Sequence, residues 1–126
     1  MPPGLLRGVK DAFFLTRDFE RTIDAVRRMP EDSRSRGSVF MLAASYAFLE
    51  RAEAEEARTA FVAKYGDASA ELWLNEGWMF GRQQEQDLFI ESFQKLGLPQ
   101  CMTEAQLADF PNAKRLEQCE AERAKG

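Results

Sequence analysis

The sequence predicts an all-α protein built from antiparallel helical hairpins, and three observations predict it. Apolar residues recur at spacings of three and four in segment after segment, as in helices with a buried face. The most regular stretch, residues 37–67 (GSVFMLAASYAFLERAEAEEARTAFVAKYGD), reads as two such helices joined by a short acidic turn. A hairpin of the same kind precedes it.

In chain order, Leu5, Leu6, Val9, Ala12 and Phe13 mark a first helix, which Phe14 and Leu15 complete before the polar break at residues 16–18. Phe19, Ile23, Val26 and Met29 mark a second, ended near Pro30 because proline cannot continue a helix. In the central hairpin Val39, Leu42, Ala43, Tyr46 and Leu49 share one face, and Phe40, Ala44 and Phe48 form a second stripe. A helix apolar on two sides must be covered on two sides. Its partner carries one stripe, Ala57, Ala60, Phe61 and Tyr65, with Glu53, Glu55, Glu56, Arg58 and Lys64 largely away from it. Small Ala57 and Ala60 are expected to let the two axes approach closely, and the three glutamates form a solvated first turn favoured by the helix dipole.

Beyond residue 67 the pattern degenerates. Ser69 is a capping residue for a short helix through Leu72, Trp73 and Leu74, interrupted at Gly77 and Gly81. A last amphipathic helix, QEQDLFIESFQKL, places Leu88, Phe89, Ser92, Phe93 and Leu96 along one side, with Gly97 and Pro99 as stop signals. Thr103 and Gln106 suit a capping box for a short helix TEAQLADF, ended by Pro111. From residue 112 onward Leu116 and Cys119 are the notable apolar side chains, which predicts a packed strap and then a frayed end.

The two regular hairpins repeat each other: Phe14 pairs with Phe48, Leu15 with Leu49 and Arg17 with Arg51, each 34 positions apart. With that period the chain resembles the tetratricopeptide repeat family. Ala43 matches the family's small residue in the first helix, Tyr46 the aromatic three further on, and Ala57 with Phe61 the Ala-x-x-x-Phe signature of the second helix. Val39 departs from the tryptophan frequent at its position, the inter-helix turn is two residues longer, and the proline after the second helix is missing. The resemblance implies a right-handed stack of hairpins over residues 5–67, a degenerate hairpin and cap at 68–99, and a tail at 100–126, all in one domain spanning 1–126. It also implies a non-catalytic protein–protein interaction module. The closing DLFIESFQKLGLP is similar to the ends of repeat arrays in some bacterial adenylate-cyclase-like signalling proteins, which implies a docking or sensory piece. A homodimer completing its stack with a second subunit is the alternative.

Composition removes other classes. A formal net charge of -4 opposes a nucleic-acid footprint, which needs concentrated cations. No apolar run approaches the roughly 20 residues that cross a bilayer. Lys10 and Asp11 stand where a signal peptide needs unbroken apolar sequence, so a cytoplasmic chain is expected. There is no histidine, which excludes Ser/His/Asp and Cys/His nucleophile systems, and two cysteines alone cannot complete a structural zinc site. Cys101 and Cys119 read as thiols in a reducing compartment, or else as a disulfide tying the tail together. No metal site, cofactor or phosphate loop is implied.

Two places are candidates for binding. The first helices of successive repeats line the concave side of such a stack, which sets Leu6, Lys10 and Phe14 beside Phe40, Ala44 and Phe48 as an apolar groove with one cation for a peptide or protein partner. The competing expectation is that these side chains are core. The segment LWLNEGWMFGR gathers Trp73, Trp78, Met79 and Phe80, material suited either to binding or to plugging the end of the stack. Glu76 and Asp87 flank it as a carboxylate pair of the kind acid–base chemistry can use, a description many unrelated surfaces meet, and the sequence offers no sign of a desolvating pocket.

Overall fold

A computed structural model of the chain describes residues 3–76 and 83–120, with side chains from Gly8 onward. The described residues are helical and contain no strand. The chain divides into two compact units, Met1–Gly66 and Asp67–Gly126, and the boundary lies beside residue 67, where the two regular hairpins end.

The first unit holds α1 (Pro3–Leu15), α2 (Phe19–Arg27), a 3-10 turn (Glu31–Ser33), α3 (Arg36–Phe48) and α4 (Glu53–Tyr65). Each helix packs on the next, and α1 also touches α3. Both hairpins turn by the same device. After α1, Asp18 N–H donates to the Phe13 carbonyl and Arg17 N–H to that of Phe14; after α3, Arg51 N–H donates to Tyr46 and Glu50 N–H to Ala47. These are Schellman closures, and they put Arg17 (φ 62°) and Glu50 (φ 54°) in the left-handed region. Asp18 and Ser35 then cap α2 and α3, accepting from the Arg21 and Ser38 amides.

Helix α3 is buried along the side of Phe40 and Ala44 and only partly along the other: Phe40, Ala43 and Ala44 are fully buried, Met41, Ser45 and Tyr46 are buried as well, and Val39, Leu42 and Leu49 are half-buried. Phe40 meets Phe61 of α4 edge-on at 5.6 Å, and Phe14 meets Phe19 at 5.9 Å. On α4 the inward side differs from the expected stripe. Phe61 is its buried residue, flanked by half-buried Ala54, Ala57, Arg58 and Tyr65, while Ala60 is exposed. The turn after α3 holds one residue more than that after α1.

The second unit contains α5 (Ala70–Asn75), α6 (Gln83–Lys95), α7 (Glu104–Ala108) and a helical turn at residues 117–120. Ser69 caps α5 by accepting from the Leu72 amide, and Gly97, at φ 67°, ends α6 with Leu98 N–H donating to Phe93. Thr103 and Gln106 form the reciprocal capping box of α7. Trp73 packs edge-on against Phe93 at 5.1 Å, within a core that includes Leu88, Phe89 and Met102. Cys101 and Cys119 are joined as a disulfide, with Cα atoms 5.5 Å apart, so the thiol expectation gives way to the tied tail. The reason is topological: the chain after α7 returns across α5 and brings residue 119 back beside residue 101.

Candidate functional site

The residues expected to line a concave groove are distributed otherwise. Phe14, Phe40 and Ala44 are interior, with no surface left for a ligand. Their apolar neighbours within the same unit fill the space that an open groove would need. Lys10 is 5% exposed, its Nζ 2.6 Å from Asp11 Oδ1, and does not form an accessible carboxylate clamp. Phe48 is half-buried, stacked on Phe19 at 4.4 Å with nearly parallel rings and with the Arg17 guanidinium 5.8 Å from its centroid. Trp73 belongs to the other unit and is core there. Trp78, with Met79 and Phe80, lies outside the described residues. Glu76 and Asp87 are exposed, and Asp87 accepts from Gln83 Nε2 at 2.8 Å.

An accessible hollow does exist in the first unit, on a different side of α3. It consists of two adjoining depressions of about 530 and 240 Å³ that share Glu31, Arg34, Leu42, Ala57 and Ala60. Val39, Leu42 and Tyr46 of α3 supply the apolar floor. One wall is α4, where the small side chains of Ala57 and Ala60 leave the space open; the other is the end of α2 with the 3-10 turn. The alanines therefore do the opposite of what close helix packing would require.

Its rim is charged with both signs. Arg27, Glu31 and Arg34 stand on one wall, Glu53 and Glu56 at one end of the α4 wall, and Lys64 at the other. Arg34 Nε donates to the Met29 carbonyl at 3.3 Å, which steadies the guanidinium, and Glu53 sits 3.7 Å from Arg51 Nη2. Among the described residues the side chains of Arg27, Glu31, Glu56 and Lys64 form no ion pair. The hollow is thus an apolar trough with charges of both signs along its edge. The signal for it in the sequence was the Val39–Leu42–Tyr46 stripe facing two alanines, read instead as a closed contact.

No helix among the described residues is long and apolar enough to cross a membrane. Compared with protein-family models, curated proteins and solved structures, the chain matches none.

Proposed function

We propose that the chain is a non-catalytic interaction module whose first unit is a tetratricopeptide-like right-handed stack and whose docking surface is the hollow over α3. What supports the stack is the 34-residue recurrence of Phe14, Leu15 and Arg17 in the sequence, the sequential packing of the helices and a turn closure that both hairpins share, 33 residues apart. The observation that carries the docking role is the apolar floor of Val39, Leu42 and Tyr46 left open beside Ala57 and Ala60 and rimmed by charges of both signs. The partner is an amphipathic peptide segment: apolar side chains on the floor, carboxylates toward Arg27 and Arg34, cations toward Glu53 and Glu56. Because the floor sits on packed helices, binding does not first have to order the site.

The test is a selection from displayed random peptides on the immobilised chain, with a Leu42→Glu variant as counter-selection after circular dichroism shows it folded. Wild type is expected to enrich amphipathic peptides that Leu42→Glu binds at least about tenfold more weakly, a loss of ~1.4 kcal/mol. Glu56→Lys is expected to reverse the charge preference on its side. Enrichment of the same peptides by both baits removes the hollow as the docking surface. Light scattering of the free chain separates this reading from self-association through the open face of the first helix, for which a concentration-dependent dimer is the expected result.

A further inference from the structure

Residues 113–116 run without regular structure and are held on α5 by two of its side chains. Asn75 takes both backbone groups of one residue: Lys114 N–H donates to its Oδ1 at 2.6 Å, and its Nδ2 donates to the Lys114 carbonyl at 2.8 Å. One turn earlier, fully buried Glu71 accepts through Oε2 from Leu116 N–H and Arg115 Nε, each at 2.9 Å, and through Oε1 from Met102 N–H at 3.0 Å. Apolar support for the segment is thin. Leu116 and Cys119 are buried, while Lys114, Glu117 and Gln118 are exposed. The far end is covalent, through the disulfide from Cys119 to Cys101, a sequence separation of 18. The contacts on α5 are thus mostly to backbone, the way a helix face would hold an extended chain of little defined sequence, and the disulfide keeps this particular chain there.

We propose that the Cys101–Cys119 disulfide is a thiol-operated latch on this strap: reduction releases residues 113–119 and uncovers the Glu71–Asn75 face while the rest of the second unit stays folded. The reductant is a small thiol or a dithiol protein. Its thiolate attacks the Cys101 sulfur, because Cys101 is half-buried and Cys119 is 1% exposed. The S–S bond breaks, its electron pair leaves on Cys119, which takes a proton, and a mixed disulfide remains on Cys101. A second thiolate attacks the reductant's sulfur in that mixed disulfide, freeing Cys101 as a thiol and leaving the reductant oxidised to its own disulfide. Release follows because Glu71 and Asn75 hold the strap only while it is nearby; closing a loop of this length covalently favours the closed state by about a hundredfold.

The experiment is hydrogen exchange read by mass spectrometry on the full chain, in oxidised form, in dithiothreitol, and as the Cys101→Ser/Cys119→Ser double variant. Amides at 113–120 are expected to exchange about a hundredfold faster in both reduced forms, with α5 and α6 still protected. Adding Asn75→Ala is expected to accelerate that segment further in the reduced chain and to change little in the oxidised one. Unchanged exchange at 113–120 overturns the latch, since the side chains then suffice. Loss of protection throughout the second unit also overturns it, since the disulfide is then a brace. Free thiols in the natively folded chain purified without reductant overturn it as well.

Discussion

Glu71 and Ser45 show how differently two buried polar side chains behave. Glu71 has no exposure, yet three donors from two later segments fill its carboxylate, so its burial is compensated while the strap lies on it. A glutamine keeps the shape but replaces one acceptor oxygen by an NH2 group that faces donors. Glu71→Gln is therefore expected to cost about 3 kcal/mol, measured by urea unfolding followed through tryptophan fluorescence. Both tryptophans, Trp73 and Trp78, belong to that unit in sequence. The hydroxyl of Ser45 is buried on α3 with no hydrogen-bond partner. Removing an unpaired buried hydroxyl relieves a desolvation cost, so Ser45→Ala is expected to leave stability unchanged or raise it by up to about 1 kcal/mol. A loss exceeding that would mean the hydroxyl is satisfied by water.

At the scale of elements, helix ends decide the local geometry, and they were also the most legible part of the sequence. The Ser69 cap, the Thr103–Gln106 capping box, the Gly97 stop and the break before Phe19 rest on hydrogen bonds between residues a few positions apart, so residue types at fixed offsets reveal them. The left-handed Glu50 was not legible, because the turn that demands it usually signals itself with glycine. Glu50 is exposed, and Glu50→Gly is expected to stabilise the chain by about 0.5–1 kcal/mol, seen as a rise of a few degrees in the thermal midpoint. A fall would show that the flexibility glycine adds to the unfolded chain outweighs the relief of strain. Long-range features were hidden for a physical reason: Glu71 meets partners 31, 44 and 45 positions away, and no local pattern encodes such pairings. The packed strap was foreseen from Leu116 and Cys119, but what it packs against was not. The open hollow was missed because small side chains fit both a close helix contact and a gap, and only the orientation of α4 separates the two.

On the scale of the whole molecule, the consequence of two units is two buried aromatic cores, one around Phe14, Phe40 and Phe61, the other around Trp73, Phe89 and Phe93. Phe61 is the buried residue of α4, and its ring meets Phe40 of α3, with Tyr65 beside it at 5.3 Å. Phe61→Ala removes that anchor and leaves a cavity, at an expected cost of about 3–5 kcal/mol. The loss falls on the first unit, whose helices dominate the far-ultraviolet circular dichroism, whereas tryptophan fluorescence follows the second. The expected result is a dichroism transition at lower urea with an unchanged fluorescence midpoint; coincident shifts in both signals would show one cooperative block instead. The same substitution bears on function, because α4 is the wall that carries Ala57 and Ala60. Peptides selected on the wild-type chain are expected to lose binding to Phe61→Ala under conditions where the second unit remains folded. Retained binding would place the docking surface away from the hollow over α3.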